Sequence, residues 1–339
     1  MNILFLGLGS IGQRHLRNVY KLDKKTNFFA IRKKYFTPLL TNSNQSIKGN
    51  IAKKYKIKVF KSLEELKKNK INIDAAFVCT PSKFHVEETI WLMKNDINVF
   101  VEKPLGSSLK NIKKLRKIIL LKPKILNMMG YQLKFNPIIL KLKTLLDKKV
   151  IGQIYNIFIS HGEHIDDFHP YEDYKHSYAA RKELGGGVVL SQIHEIDYLI
   201  FLFEKYKIKT LNSITSHLSN LKLNVEDNSV SNLLLLKGGK KTICTLYLNY
   251  FERPKRRQLI FIGEKGKIEC DLNKGSIRIF KHNTIKEYKF KFDRNKIFIK
   301  QVKYFLDKLR NNKKIENKYN ILNGIESLKL ALSLKSNFL

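Results

Sequence analysis

Glycine stands at positions 7, 9 and 12, directly after the apolar run Ile3-Leu4-Phe5-Leu6 and directly before a helix-like stretch from Gln13 to Leu22. Three glycines so spaced allow the positive φ of a tight turn, the approach of a phosphate to bare backbone, and close packing of helix on strand. With Ser10 and Ile11 completing the turn, Gly7, Gly9 and Gly12 predict a seat for a dinucleotide pyrophosphate at a helix N-terminus. Beyond the second predicted strand, Phe28 to Ile31, an NAD site usually offers a carboxylate to the ribose 2′-hydroxyl. Here the chain reads Arg32-Lys33-Lys34. Positive charge at that point favours a 2′-phosphate, so NADP is preferred to NAD, with Arg32 as the candidate ligand. Stacking on the adenine, or plain solvation, is the alternative for Arg32.

The elements needed to position such a site follow in order. Ile57 to Phe60 reads as a third strand, and Ser62 with Glu65 at the capping-box spacing opens a helix. Ala75 to Cys79 is a continuous apolar run ending at Thr80-Pro81, as in a parallel strand buried on both faces. A helix over His85 to Lys94, a strand over Asn98 to Val101, a helix over Leu109 to Leu121 and a strand over Ile125 to Met129 continue the alternation. This β-α-β series predicts a doubly wound parallel sheet of the Rossmann type. After about residue 150 longer alternating runs predict strands over 153–161, 211–218, 229–236, 241–250, 258–262 and 267–271. Lys237-Gly238-Gly239-Lys240 and Gly263-Glu264-Lys265-Gly266 read as hairpin turns. One helix over Ser191 to Phe203 and two near 295–311 and 319–335 complete the reading. The fold class is therefore α/β, with an α+β C-terminal domain built on a large, mainly antiparallel open sheet. The expected domains are 1–123 and 124–339, with the C-terminal helix able to pack back on the first.

Composition sets limits on function. The 339 residues suit two domains, and 43% hydrophobic with 11% aromatic content is that of a globular chain without a run long enough to span a membrane. Nothing at the N-terminus resembles a secretory signal, which points to the cytoplasm. Cys79, Cys244 and Cys270 are odd in number and far apart, so buried thiols are expected, not disulfides or a zinc knuckle. The net charge of +36 is the footprint of nucleic-acid binding, yet lysine is spread along the whole chain, which indicates a compositional bias and no dedicated nucleic-acid function. The same field attracts anionic substrates.

Taken together, Gly7 to Gly12 with Gln13-Arg14-His15, the loop Thr80-Pro81-Ser82-Lys83-Phe84-His85, Val101-Glu102-Lys103-Pro104-Leu105, Gly130-Tyr131-Gln132, and Gly185-Gly186-Gly187 leading to His194-Glu195-Ile196-Asp197 resemble the Gfo/Idh/MocA family. That is the family of glucose-fructose oxidoreductase and inositol dehydrogenase. The resemblance spans residues 1 to about 205. It implies an NAD(P)-dependent oxidoreductase acting on a secondary alcohol or ketone of a sugar, cyclitol or nucleotide-sugar, and a homo-oligomer. It implies Lys103 beside the nicotinamide and the substrate hydroxyl, and His194 as the acid-base histidine following a flexible Gly185–Gly187 loop. It adds Thr80, Pro81, His85 and Glu102 to the cofactor site, and Gln132, His164, Tyr178, Arg181 and Asp197 to the substrate site, Asp197 on the same helix face as His194. The segment from His164 to Arg181 is similar to members associated with surface-glycan sugar synthesis. The dense run His161 to His169 suggests a metal, but its spacing is not a standard one, so a polar loop over the substrate is expected and no metal. His194-Glu195 lacks the second histidine of a zinc protease motif. The chain departs from the family where many relatives carry Asp just before this histidine: it has Ser191-Gln192, leaving the third acid-base member open. Two alternatives stay open: a relative acting on a non-sugar and, made conceivable by the missing aspartate, a catalytically silent NAD(P)-binding regulator.

Overall fold

The computed structural model describes residues 1–32, 38–291 and 293–335. Two compact units emerge: Met1–Tyr131 with Asn295–Ile325, and Gln132–Arg294 with Glu326–Leu339. The sequence reading divided the chain once, at 123/124. In the structure the last strand of the first sheet lies beyond that point, and the chain returns to the first unit at Asn295.

In the first unit, β1 (Asn2–Leu6), β2 (Asn27–Ile31), β5 (Lys58–Phe60), β6 (Ala75–Val78), β7 (Asn98–Val101) and β8 (Asn127–Met129) form one parallel sheet in the order β5-β2-β1-β6-β7-β8. A short antiparallel pair, β3 (Leu39–Leu40) and β4 (Ser46–Ile47), stands apart. The helices are α1 (Ser10–Leu22), α2 (Ile51–Lys54), α3 (Leu63–Lys68), α4 (Ser82–Lys94) and α5 (Ile112–Leu121). Strand order reverses beside β1, so the carboxyl ends of β1 and β6 flank the switch point where doubly wound sheets bind ligands. The unbroken apolar composition of β6 and β7 follows from burial on both faces. Phe77 stacks on Phe5 at 5.0 Å and on Phe100 at 4.8 Å, and Phe305 meets Phe77 edge-on. Each such pair adds about 0.5–1.5 kcal/mol beyond the area it buries. Phe298, Val302 and Phe305 of α9 (Arg294–Arg310) are buried in this core.

The second unit is built on an eight-stranded sheet in the order β10-β11-β12-β9-β13-β14-β15-β16. These strands are β9 (Ile154–Gly162), β10 (Lys207–Ser216), β11 (Asn228–Lys237), β12 (Lys240–Asn249), β13 (Arg256–Gly263), β14 (Gly266–Asp271), β15 (Ser276–Lys281) and β16 (Thr284–Lys289). Only β9 and β12 pair in parallel. Ile157, Ile159 and His161 of β9 are buried on one face, whereas Phe158 is exposed on the other. The expected hairpins at 237–240 and 263–266 form, but β15, β16 and helix α6 (Pro137–Asp147) were not read from the sequence. The signal for α6 was present: Asn136 accepts from the Ile138 N–H at 2.8 Å and Pro137 stands in the first turn. The helix expected over Ser191–Phe203 corresponds to α8 (His194–Leu202), and the short helix before it, α7 (Val188–Ser191), was not read from the sequence. The last helix, α10, runs over Ile321–Leu334.

Candidate active site

The glycine turn separates into three roles. Gly7 has φ +90°, and a Cβ there would lie 2.7 Å from the Cys79 carbonyl oxygen. A Cβ on Gly12 would lie 2.2 Å from the Gly7 carbonyl oxygen, whereas one on Gly9 meets nothing within 4 Å. The outer glycines are thus required by the protein and the middle one faces open space, the cradle a pyrophosphate needs. Gly9 is the N-cap of α1 and brings no side chain of its own to the first-turn N–H groups of Ser10 and Ile11. Gln13 fixes the turn by donating to Leu8 O and Pro38 O and accepting from the Leu40 N–H at 2.9 Å. Arg32 follows β2 half-buried, and burial lowers the pKa of its guanidinium. Lys33 and Lys34, the other cations of the 2′-phosphate reading, lie outside the described residues.

At the carboxyl ends of β6 and β7 the side chains assigned to the cofactor have other commitments. His85 is buried, with its Nδ1 2.7 Å from Pro104 O and its Nε2 2.7 Å from Thr80 O. Burial pushes its pKa down against the pull of these carbonyls. It therefore braces the Thr80-Pro81 loop to the Glu102-Lys103-Pro104 segment, and the Thr80 hydroxyl itself donates to Glu88. Glu102 is likewise internal: His15 Nε2 lies 2.7 Å from its Oε1, and its Oε2 accepts from the Lys103 N–H at 3.1 Å. A Cβ on Gly130 would fall 2.7 Å from that same carboxylate. His15, quoted in the sequence motif but given no role, thus holds the backbone from which half-buried Lys103 projects. The signal was a row of polar residues, Gln13, Arg14, His15 and Asn18, that a solvent-facing helix would expose but that α1 buries.

In the second unit His194 is buried and is the first residue of α8, not one turn into a helix. The Gly185–Gly187 segment before it is packed, not open. A Cβ on Gly186 would lie 2.5 Å from Ala179 O, and one on Gly187 would strike the Glu226 carboxylate. Ser191, where the aspartate is missing, is buried. Asp197, expected at the substrate, is an internal ion-pair member instead: its Oδ1 lies 2.9 Å from Lys134 Nζ and accepts from Ser327 at 3.0 Å. Both charged side chains are 1% exposed. Burial raises the carboxyl pKa and lowers that of the ammonium, against their mutual attraction. Gln132 is buried at the start of the short turn Gln132–Phe135 that also carries Lys134. Tyr178 and Arg181 sit on the 171–184 segment. There Arg181 bonds Lys175 O at 3.3 Å and His176 Nδ1 at 3.2 Å. His164 caps the turn Ile165–Asp167, its Nδ1 accepting from the Asp166 N–H.

Sequence reasoning missed a buried ionic chain on β9, β13 and α8. His161 Nδ1 lies 3.0 Å from Glu195 Oε1 and its Nε2 3.6 Å from Glu163, while Arg257 Nε donates to Glu195 at 2.6 Å. Burial alone would raise the Glu195 carboxyl, but Arg257 and His161 outweigh it and hold the pKa below its usual value. Glu163 is held down similarly by His161, Lys255 and Arg257 against its burial. His161 faces Arg257 across the β9–β13 register, a pairing that no local pattern in the sequence encodes. Among the described residues, no three or more of His, Cys, Asp and Glu are grouped to hold a metal, and no helix is long and apolar enough to cross a membrane.

A six-stranded parallel sheet in Rossmann order, with a cleared glycine turn at its switch point, defines a dinucleotide-binding oxidoreductase fold. Comparison with protein families agrees. Residues 1–129 match the GFO/IDH/MocA oxidoreductase family with its NAD-binding Rossmann fold, and residues 139–269 match the GFO/IDH/MocA C-terminal domain. The chain belongs to the Gfo/Idh/MocA family of NAD-binding oxidoreductases. A search of curated proteins returned no match. Among solved structures, it is similar to myo-inositol 2-dehydrogenase from Lactobacillus plantarum, at 21% identity and TM-score 0.77 over 99% of this chain and 96% of that one. A levoglucosan dehydrogenase in complex with NADH aligns at 12% identity and TM-score 0.80 over the same shares. So does the WlbA dehydrogenase from Bordetella pertussis in complex with NADH and UDP-GlcNAcA, at 17% and 0.76.

Proposed function

We propose that the protein transfers a hydride between NAD(P) and a secondary alcohol or ketone of a sugar, cyclitol or nucleotide-sugar, in the cytoplasm. The observation that carries this is the contrast at the glycine turn, where the fold requires Gly7 and Gly12 and leaves open space at Gly9, the N-cap of α1. When bound, the dinucleotide supplies the hydride acceptor or donor at its nicotinamide ring. Gly9, Ser10 and Ile11 hold the pyrophosphate. Lys103 polarises the substrate oxygen from the carboxyl end of β7, and His194 takes the hydroxyl proton on oxidation or returns it on reduction. With serine at 191, no carboxylate shares that task from this position. Arg32 favours NADP over NAD through its charge at the end of β2. The related enzymes named for inositol, levoglucosan and a UDP-sugar support a polyhydroxylated substrate, and the chain's positive field favours an anionic one, as in surface-glycan synthesis.

The test measures dinucleotide affinity and turnover separately, with a panel of inositols, sugars and UDP-sugars. Lys103→Met is expected to bind NADPH as the wild type does and to lose at least about a hundredfold in turnover. Turnover at the wild-type rate removes Lys103 from the mechanism. Dinucleotide binding without turnover on any sugar, but with turnover on a simple diol, favours the non-sugar reading. No turnover on any alcohol favours the silent regulator.

A further inference from the structure

The second unit carries a cleft of about 340 Å³ between α6 and the β15–β16 hairpin, walled by Lys141, Lys148, Lys281 and Lys286 around Tyr288. It lies on no element that carries the glycine turn, Lys103 or His194. We propose that this cleft binds a phosphorylated small molecule of about sugar-phosphate size, separately from the dinucleotide.

Three observations carry the proposal. Strand alternation sorts β16 by charge: Thr284, Lys286 and Tyr288 face the cleft, while Glu287 lies on the opposite face and pairs there with Lys289 at 3.3 Å. On β15, Lys281 and Ile279 stand opposite Thr284 and Lys286 and so share that face. The carboxylates near α6 are drawn off too. Lys143, two residues from Lys141, is bound by Asp147 at 3.1 Å and Glu204 at 3.3 Å. Among the described residues, by contrast, none of the four cleft lysines has an ion-pair partner, and no carboxylate lines the cleft. A uniform lysine bias would not exclude acids from one concave surface. A charged guard on an edge strand would account for Lys286, but not for Lys141 and Lys148 converging on it from a helix.

The cations are also held. Lys141 Nζ lies 4.3 Å from the Tyr288 ring centre and Lys286 Nζ 5.4 Å from it, so one aromatic ring gathers both in a cleft also lined by Leu145 and Ile279. Gathered like charges without a counter-charge repel one another, and a polyanion relieves that repulsion while bonding to the ammonium donors. The volume sits at the low end of small-molecule pockets, which run from about 300 to 1,000 Å³ and hold a phosphate with a sugar-sized group.

The experiment is calorimetric titration of the full chain with inorganic pyrophosphate, the dinucleotide site being saturated with NADPH. One pyrophosphate per chain is expected. Lys141→Glu with Lys286→Glu should weaken it at least about tenfold, and Lys113→Glu with Lys117→Glu on α5, an equal change in net charge, should leave it within about twofold. Absence of binding under saturating NADPH overturns the proposal, as does equal weakening by both pairs, which marks a diffuse field. Should the charge reversal unfold the protein by circular dichroism, Lys141→Gln with Lys286→Gln is used, and unchanged affinity there is equally fatal. Because the readout is binding alone, loss of the hydride-transfer reading leaves this result standing.

Discussion

At the scale of single residues the glycine turn makes a sharp prediction, because its three members differ in what a methyl group would meet. Gly7→Ala combines a positive φ with a clash on the Cys79 carbonyl, and Gly12→Ala clashes with the Gly7 carbonyl. Each is expected to lower stability by about 1–3 kcal/mol in chemical denaturation. Gly9→Ala has φ −69° and free space, so stability should stay within about 1 kcal/mol while dinucleotide affinity falls. Intact affinity in Gly9→Ala would mean the pyrophosphate sits elsewhere. Glu195 makes a second prediction. Its pKa is held below the ordinary 4.5 in the folded state, so its stabilisation is full above that value and is lost as pH falls through the lower, folded one. Glu195→Gln should therefore flatten the acid limb of the stability profile below about pH 4.5, and an unchanged acid limb would show that Arg257 and His161 do not hold the charge.

At the scale of elements, the short turn bearing Gln132 and the helix bearing His194 are tied by one buried ion pair, Lys134 to Asp197. Removing one partner strands the other's charge in the core and typically costs about 3–5 kcal/mol, while replacing both with apolar groups is often near neutral. Lys134→Met and Asp197→Leu should each be severely destabilising and the double variant should recover most of the loss. Additive losses would mean the pair is not coupled. This level also shows what the sequence could disclose. The parallel strands were legible because burial on both faces writes continuous apolar runs, and the glycine turn because its spacing is tied to backbone geometry. Helix α7 escaped because its four residues are too few to show a helical period. β16 escaped because its positions are nearly all exposed, whereas β15 carried a readable signal, Ile277 and Ile279 buried on either side of exposed Arg278. Asp197 and Glu102 read as ligands for the same reason that they look chemical: a carboxylate in a motif does not reveal whether its partner is a substrate or a buried lysine or histidine.

For the whole molecule, the outward face of the large sheet bears on assembly. Phe158, Ile214, Val230 and Ile262 stand on one face by register and are 39–53% exposed. An apolar area of that kind on a regular surface favours pairing with a second copy. We propose a homo-oligomer built on it. Sedimentation is expected to give a dimer or tetramer that Phe158→Glu shifts toward monomer, and a wild-type monomer at micromolar concentration would end that idea. The three cysteines, finally, fall on both sides of the division, Cys79 in the first unit and Cys244 and Cys270 in the second, all buried and with thiol pKa values raised by burial. An alkylating reagent can reach each sulfur only when its surroundings open. Timed labelling followed by peptide mass analysis thus turns the native thiols into two clocks, each counting how often its own half of the chain breathes.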